Sequence, residues 1–358
     1  MIEQLQDLQS AAGATFEAIA DTQVPVSFGN DAAAIQAAQA GVALCDRSHW
    51  GRILVSDDDR LRFLHNQSTN DFQQLKPGQS CDTVFVTSTA RTIDLATAYV
   101  TEDAVLLIVS PNRRQSLMEW LDRYIFFADK VQLQDVTSES AAFSLIGPKS
   151  DALLEKLGLS AMIGQPYATH QLVQLADVEV RVAVGSGLAT PGYTIVVPAS
   201  KAATVWSNIL QAGAVPLGDR AWEQLRIQQG RPAPDRELTD DYNPLEAGLW
   251  QTISFEKGCY IGQETIARLN TYKGVKQYLW GIRLSAPAQP GSVITVEDEK
   301  VGKLTSYTQT EGDHFGLGYI RAKAGGAGLK VKVEETTGVV VDVPFLRRGQ
   351  ESGVGGQG

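Results

Sequence analysis

The segment Lys257-Gly258-Cys259-Tyr260-Ile261-Gly262-Gln263-Glu264 places a basic residue, a thiol and two glycines within eight positions. A thiol attacks or ligates as the thiolate, and a nearby ammonium lowers the pKa of a thiol, so Lys257 could make Cys259 reactive. The two glycines let the backbone bend close to a ligand. The open alternative is that Cys259 is a small packed residue in a tight turn, as single cysteines often are.

The chain before this segment is predicted to alternate between helices and strands. Runs rich in β-branched residues predict antiparallel strands at 83–87, 93–100 and 104–109. Residues 1–20 carry apolar side chains at helical spacing and predict one amphipathic helix. Residues 221–229 predict another helix, which Gly230-Arg231-Pro232 ends. The fold class is therefore expected to be α+β.

The texture of the sequence changes after residue 277. Short β-like runs alternate with glycine, proline and charged turns, and they lie at 279–284, 293–296, 301–307, 315–320, 329–333 and 338–343. This pattern predicts a small C-terminal β-barrel. The last stretch, 349–358, has five glycines and almost no apolar residue, so we predict a disordered tail there.

Composition and charge limit the classes of function. The chain has 358 residues and a net charge of -10, so it repels polyphosphate overall, and we predict no direct nucleic-acid binding. Its three cysteines are too few for a disulfide framework, which favours a reducing compartment. The first residues do not resemble a targeting signal, and no apolar run approaches the ~18 residues that a membrane span needs. We expect a cytoplasmic protein with no membrane segment and no metal site.

The segment 257–264 resembles the signature of the YgfZ-type folate-binding proteins, which are relatives of the glycine-cleavage aminomethyltransferase, or T-protein. The resemblance covers residues 25–346, nearly the whole chain. Further stretches that carry it lie at 45–52, 69–72, 225–232, 244–249 and 301–306. Residues 265–269 and 272–274 are similar to the version found in cyanobacteria and chloroplasts.

The resemblance implies three domains around a central channel that holds tetrahydrofolate. We place two intertwined α+β domains in 1–255, the motif segment and linker in 256–276, and the barrel in 277–348. The resemblance also implies support for iron–sulfur cluster assembly or repair, including in tRNA-modifying enzymes, with Cys259 required. The partners would be iron–sulfur client enzymes or assembly proteins, and the protein could be a monomer. The thiol is then expected to open onto a pterin-sized cavity that reaches Asp94.

The same resemblance raises the question of T-protein chemistry, which moves a one-carbon unit from a lipoyl-bound aminomethyl group to tetrahydrofolate. Asp94 matches the catalytic aspartate, although a carboxylate at a strand edge is its alternative role. Three positions depart from the T-protein pattern: Ile93 replaces an aspartate, Ser110 an asparagine and Thr190 a glutamate that grips the pterin. A pterin amino edge needs a carboxylate for paired hydrogen bonds, which Thr190 cannot supply. T-protein catalysis is therefore expected to be impaired.

The predicted catalytic residues are Cys259, Lys257 and Asp94. The predicted folate-binding residues are Asn70, Asp94, Ser110, Arg226, Glu246, Tyr260 and Gln263. Two of these keep an alternative. Arg226 could contact the glutamyl carboxylates of folate or pair with Glu223 on the same helix. Glu246 could face the ligand or cap a turn.

Three functions follow from these observations. The leading one is a folate-binding accessory protein for iron–sulfur enzymes. The main alternative is an aminomethyltransferase that acts on a lipoylated carrier protein. The third is a non-catalytic scaffold that binds protein partners.

Overall fold

The computed structural model of the chain describes residues 2–310 and 312–349. The helices in this part of the chain are α1 (Ile2–Ala11), α2 (Asp31–Ala40), α3 (Arg60–Gln67), α4 (Arg114–Asp122), α5 (Ser150–Lys156), α6 (Ala202–Gln211), α7 (Asp219–Gln229) and α8 (Gln263–Thr271). The strands before α8 are β1 (Thr15–Ile19), β2 (Thr22–Ser27), β3 (Ala43–Asp46), β4 (Gly51–Ser56), β5 (Ser80–Val86), β6 (Thr92–Val100), β7 (Ala104–Val109), β8 (Gln132–Asp135), β9 (Ser140–Ile146), β10 (His170–Leu175), β11 (Val178–Val184), β12 (Gly192–Pro198) and β13 (Val215–Leu217). The strands after α8 are β14 (Gln277–Leu284), β15 (Val293–Val296), β16 (Glu299–Thr310), β17 (Asp313–Arg321), β18 (Lys330–Val333) and β19 (Thr336–Val341).

The strands form two open sheets, a hairpin and a barrel. One sheet is antiparallel, with the order β5-β6-β7-β4-β8. The other has the order β10-β11-β12-β9-β3-β13, and only its β3–β13 pair is parallel. Strands β1 and β2 form the hairpin. The barrel has the order β14-β17-β16-β15-β18-β19 and closes because β14 also pairs with β19.

Helix α7 connects the two sheets with the barrel. Its residues Trp222 and Leu225 pack into a cluster that draws side chains from both sheets. Its residue Ile227 packs instead with the barrel residues Leu317 and Tyr319. The end of α7 therefore lies where the two sheets and the barrel meet, and Arg231, just after it, is buried.

The predicted α+β class and the closed C-terminal barrel are confirmed. The six runs predicted as barrel strands each coincide with one observed strand, because alternating apolar residues there fill a common interior. The domain boundaries at 255, 276 and 348 stay predictions. Of the predicted disordered tail, residues 350–358 lie outside the described residues.

The prediction of one helix over residues 1–20 is wrong in its second half. Helix α1 ends at Ala11, and Thr15–Ile19 is strand β1, paired with β2. Gly13 adopts a φ of 89°, a left-handed conformation that glycine tolerates and that ends the helix. The apolar residues after it follow a strand, whose hydrogen-bonding partner the sequence does not reveal. Among the described residues, no helix has the length and apolar character to cross a membrane.

Candidate functional site

Lys257 ties the motif segment to the end of helix α3. Its Nζ donates hydrogen bonds to the backbone carbonyls of His65, Ser68 (2.8 Å) and Asn70 (2.7 Å). Carbonyls at a helix C-terminus lack partners within the helix, so a lysine that reaches them stabilises the end of the helix. Burial lowers the pKa of Lys257 to about 7. All three ammonium hydrogens are committed to carbonyls, rather than to the thiol of Cys259 as the sequence suggests.

The rest of the motif forms a loop that is anchored on both sides of Cys259. The backbone N–H of Ile261 donates to the carbonyl of Asn66 at 3.0 Å. The ring of Tyr260 is buried, with the Nζ of Lys257 4.6 Å from the ring centre. The side-chain amide of Gln263 donates back to the carbonyl of Gly258 at 3.3 Å. These contacts leave the thiol of Cys259 exposed at the tip of a fixed loop.

The predicted residues Asp94 and Ser110 lie together in the interior. The hydroxyl of Ser110 donates to Oδ1 of Asp94 at 2.7 Å, and its backbone N–H donates to Oδ2 at 2.9 Å. Asp94 is fully buried, and burial raises its pKa, while the two hydrogen bonds from Ser110 act in the opposite direction. Asp94 is thus a buried carboxylate with fixed partners and does not face water from a strand edge.

Two arginines that were not predicted as site residues lie at the centre. The guanidinium carbons of Arg47 and Arg231 lie 3.8 and 4.9 Å from the ring centre of Trp50. Both side chains are buried, and the Nε of each has no hydrogen-bond partner within the described residues. Among the residues that the structure describes, no carboxylate lies within 4 Å of either guanidinium, so neither forms an ion pair. Burial, and then the charge of Arg231, lowers the pKa of Arg47 to about 9.

A small cavity of about 20 Å³, large enough for a single water, adjoins Arg47. Its lining includes Arg47, Cys81, Asp82, Tyr99, Tyr167 and Gly187. The hydroxyls of Thr97 and Tyr167 both donate to the carboxylate of Asp82. The ring of Tyr167 covers Gly185 but is 57% exposed, so it forms an outer wall of the cavity.

Within the described residues, the central cavity does not provide the expected pterin-sized space between Cys259 and Asp94. The lining of the central cavity contains neither residue, because Cys259 lies on the surface loop and Asp94 is enclosed. The motif is nevertheless linked to the cavity wall, because Lys257 donates to the carbonyl of Asn70. The side-chain amide of Asn70 in turn donates to the carbonyl of Asp82 at 2.8 Å. Asn70 therefore joins the backbone of Asp82 to Lys257.

Arg226 and Glu246 make the contacts of their alternative roles. Arg226 forms ion pairs with Glu223 and, at 2.8 Å, with the fully buried Glu237. Its Nη2 also donates to the barrel residue Ser306, so the guanidinium joins α7 to β16. The carboxylate of Glu246 accepts the backbone N–H of Asn243 at 3.1 Å and so caps a turn.

Thr190, which stands where the T-protein pattern has a glutamate, also makes a local contact. The side chain of Gln229 accepts the backbone N–H of Thr190 at 3.1 Å and donates to its hydroxyl at 2.8 Å. The loop that contains Thr190 therefore contributes no carboxylate to the cavity. Asp82 is the carboxylate that does line the cavity, and a lone acidic residue just before the predicted strand 83–87 gives no signal of this role.

The fold and site define the class of protein. The model of the GCVT N-terminal domain matches residues 5–257, and the chain belongs to that family. The solved structure of the glycine cleavage system aminomethyltransferase T from Bartonella henselae has the same fold, with a TM-score of 0.84 and 21% identity over 97% of this chain and 98% of that one.

Two relatives share a higher sequence identity with the chain than this solved structure does. The chloroplastic Arabidopsis thaliana protein At1g60990, which carries a provisional transferase name, is 53% identical over 92% of this chain and 77% of its own length. The aminomethyltransferase of Geobacillus kaustophilus is 30% identical over 91% of this chain and 93% of its own length. The chain is thus similar along most of its length both to an organellar protein and to bacterial aminomethyltransferases.

Proposed function

We propose that the chain is a YgfZ-type accessory protein that binds tetrahydrofolate at its centre and supports the assembly or repair of iron–sulfur clusters, including those of tRNA-modifying enzymes. The observation that carries the folate part is the pair of buried guanidiniums, Arg47 and Arg231, which both lie within 5 Å of the ring centre of Trp50. A buried charge without an oppositely charged partner costs free energy, so a site of this kind favours an anionic ligand.

The donor set fits a reduced folate. Folate carries glutamate carboxylates and an amino-substituted heteroaromatic ring, and when bound it supplies a carrier for one-carbon units. The orphaned Nε atoms of Arg47 and Arg231 would pair with its carboxylates. The carboxylate of Asp82 would accept hydrogen bonds from its amino edge, in place of those it now accepts from two hydroxyls. Tyr167 must move outward for this, because the cavity as it stands holds about one water molecule.

The exposure of Cys259 supports action on another molecule. A lone thiolate completes a cluster site only together with ligands from elsewhere, so the second set of ligands would come from a client enzyme or an assembly protein. Cys45 is buried and Cys81 is half-buried, which leaves Cys259 as the exposed thiol of the described residues. The anchored loop presents it in a fixed position.

An aminomethyltransferase is the second candidate, favoured by the 30% identity to the Geobacillus enzyme along most of both chains. Asp94 would then be the essential carboxylate. The pairing of Thr190 with Gln229 argues against it, since that loop offers no carboxylate to the pterin.

Complementation of a bacterial strain that lacks its own YgfZ-type protein tests the proposal. The wild-type chain should restore the activity of iron–sulfur enzymes, including tRNA modification, and Cys259→Ala should not, although it still binds folate. Cys45→Ala, a buried thiol, is the matched control. Full rescue by Cys259→Ala with loss of rescue by Asp94→Asn would favour the aminomethyltransferase. Rescue by both variants, with no folate-dependent thermal shift, would favour a scaffold.

We also propose that the protein acts in a reducing compartment such as the cytoplasm, which suits its free thiols. Fractionation of the source cells, followed by immunodetection, tests this. Recovery from an organelle, as the name of the Arabidopsis relative states for that protein, would overturn the cytoplasmic assignment.

A further inference from the structure

The C-terminal barrel carries a row of basic side chains on its outer surface. Strand β19 lies between β14 and β18, so Val339 has Arg283 on one side and Lys330 on the other. Two residues further along β18, Lys332 pairs with Thr337 of β19. Paired residues, and residues two apart in a strand, point to the same side of a sheet. These five side chains therefore share one surface, which we call the outer barrel face.

Alternation along the strands explains why this face is turned to solvent. The chain neighbours Ile282, Val331 and Val340 are buried in the core of the barrel. The side chains between them must then point outward, and the three cations are exposed. Val339 keeps 39% of its surface exposed, so an apolar side chain lies in water among the cations.

The positive charge of the outer barrel face is not balanced by ion pairs. Among the described residues, no carboxylate lies within 4 Å of the side-chain nitrogens of Arg283, Lys330 or Lys332. An open cavity of about 780 Å³ lies on this face, and its lining includes all three cations. Glu297 is the one carboxylate among the described lining residues, so the lining has a formal charge of +2. The whole chain has a net charge of -10, so this surface has the opposite sign to the average.

The composition of the face indicates which kind of anionic partner it fits. The described lining residues include no aromatic ring on which a nucleic-acid base could stack. Glu297 and the adjoining turn, Glu334–Glu335, interrupt the positive charge, which disfavours the regularly spaced phosphates of a nucleic acid. Val339 offers an apolar contact at the centre. Because the barrel is closed, a partner must be bound through side chains rather than by adding a strand.

We propose that the outer barrel face docks an acidic segment of another protein, whose carboxylates pair with Arg283, Lys330 and Lys332 around an apolar contact with Val339. Exposed ion pairs are individually weak and are screened by salt, so the contact is transient and depends on ionic strength. The inference goes beyond the proposed function and does not depend on it, since none of these residues lines the central cavity.

Fluorescence anisotropy tests the inference, with a labelled peptide of repeating Glu-Glu-Leu titrated with the purified full chain. We expect saturable binding that weakens as the concentration of NaCl rises. Combined replacement of Arg283→Gln, Lys330→Gln and Lys332→Gln should weaken binding by roughly tenfold. Val339→Glu should have a similar effect, because it removes the apolar contact and gives the cations a partner within the chain.

The control is a variant that loses the same charge elsewhere. Lys76→Gln, Lys149→Gln and Lys201→Gln, combined, remove three exposed lysines outside the barrel. This variant should bind the peptide within about twofold of the wild type, because distant exposed charges are screened. If the triple variant of the barrel does not fold, Val339→Glu decides.

Three results would overturn the inference. The first is no saturable binding of the peptide to the wild type, and the second is an equal loss of affinity in both triple variants. The third is tighter binding of an oligouridylate of the same length that the barrel variants abolish, which would identify the partner as a nucleic acid. The assay contains no folate and no iron–sulfur client, so failed complementation with retained peptide binding would overturn the proposed function alone.

Discussion

The ammonium of Lys257 lies 2.7 Å from the carbonyl oxygen of Asn70. The side chain of Asn70 in turn donates to the backbone of Asp82 beside the central cavity. Lys257 therefore links the exposed Cys259 loop to the interior of the molecule, although Lys257 and Asn70 lie far apart in the sequence. Its main physical role is to fix the positions of α3, the Cys259 loop and the cavity wall relative to one another.

Replacement of this lysine should destabilise the fold. Lys257→Met leaves the carbonyls of His65, Ser68 and Asn70 without their shared donor, and we expect the free energy of unfolding to fall by about 2 kcal/mol. Urea denaturation measures the change. Lys330→Met, an exposed barrel position, is the control and should change little. Equal stability of the two variants would contradict the structural role of Lys257.

The buried carboxyl of Asp94 should make stability depend on pH. Because burial raises the pKa of Asp94 in the folded state, this group contributes most stability at acidic pH and loses it as pH rises through the folded pKa. Asp94→Asn removes that dependence. We expect the variant to be more stable than the wild type at pH 7, by about 1 kcal/mol, and to lose this advantage near pH 4. Thermal melts at the two pH values measure it, and a variant destabilised equally at both would contradict the account.

The ion pairs of Arg226 should matter more than those on the surface. Arg226→Met leaves Glu237 buried without its cation, which should cost about 3–5 kcal/mol of unfolding free energy. Arg220→Met breaks an exposed pair with Glu17 and should cost at most about 1 kcal/mol. Guanidinium denaturation compares them. A small effect at Arg226, combined with loss of folate binding, would instead support the ligand contact that the resemblance implied.

The sequence was sufficient for some of these features and insufficient for others. The barrel was predictable because alternation and turn residues are local signals. The stretches that contain Arg47 and Arg231 were recognised as motifs, but their meeting around Trp50 depends on β3, β4 and the end of α7, which are distant in sequence. The same holds for Lys257, since proximity to Cys259 along the chain did not predict which carbonyls its ammonium would reach. Asp82 had no local signal at all.

Tyr167 should control entry to the cavity. Its hydroxyl donates to Asp82 and its ring packs on Gly185, so Tyr167→Ala opens the outer wall. We expect faster association of 5-formyltetrahydrofolate, by roughly tenfold, because no side chain then has to move before binding. Stopped-flow tryptophan fluorescence measures the rate. Tyr272→Ala, at another exposed tyrosine, should bind at the wild-type rate; an unchanged rate in Tyr167→Ala would show that entry lies elsewhere.

The central claim is that the buried arginines form the anion-binding part of a folate site. The most direct measurement is isothermal titration calorimetry of the full chain with 5-formyltetrahydrofolate, for the wild type, Arg231→Met and the exposed control Arg283→Met. We predict one-to-one binding to the wild type and to Arg283→Met, with affinity reduced by roughly tenfold to a hundredfold in Arg231→Met. No binding to the wild type, or equal affinity in all three proteins, would contradict the claim.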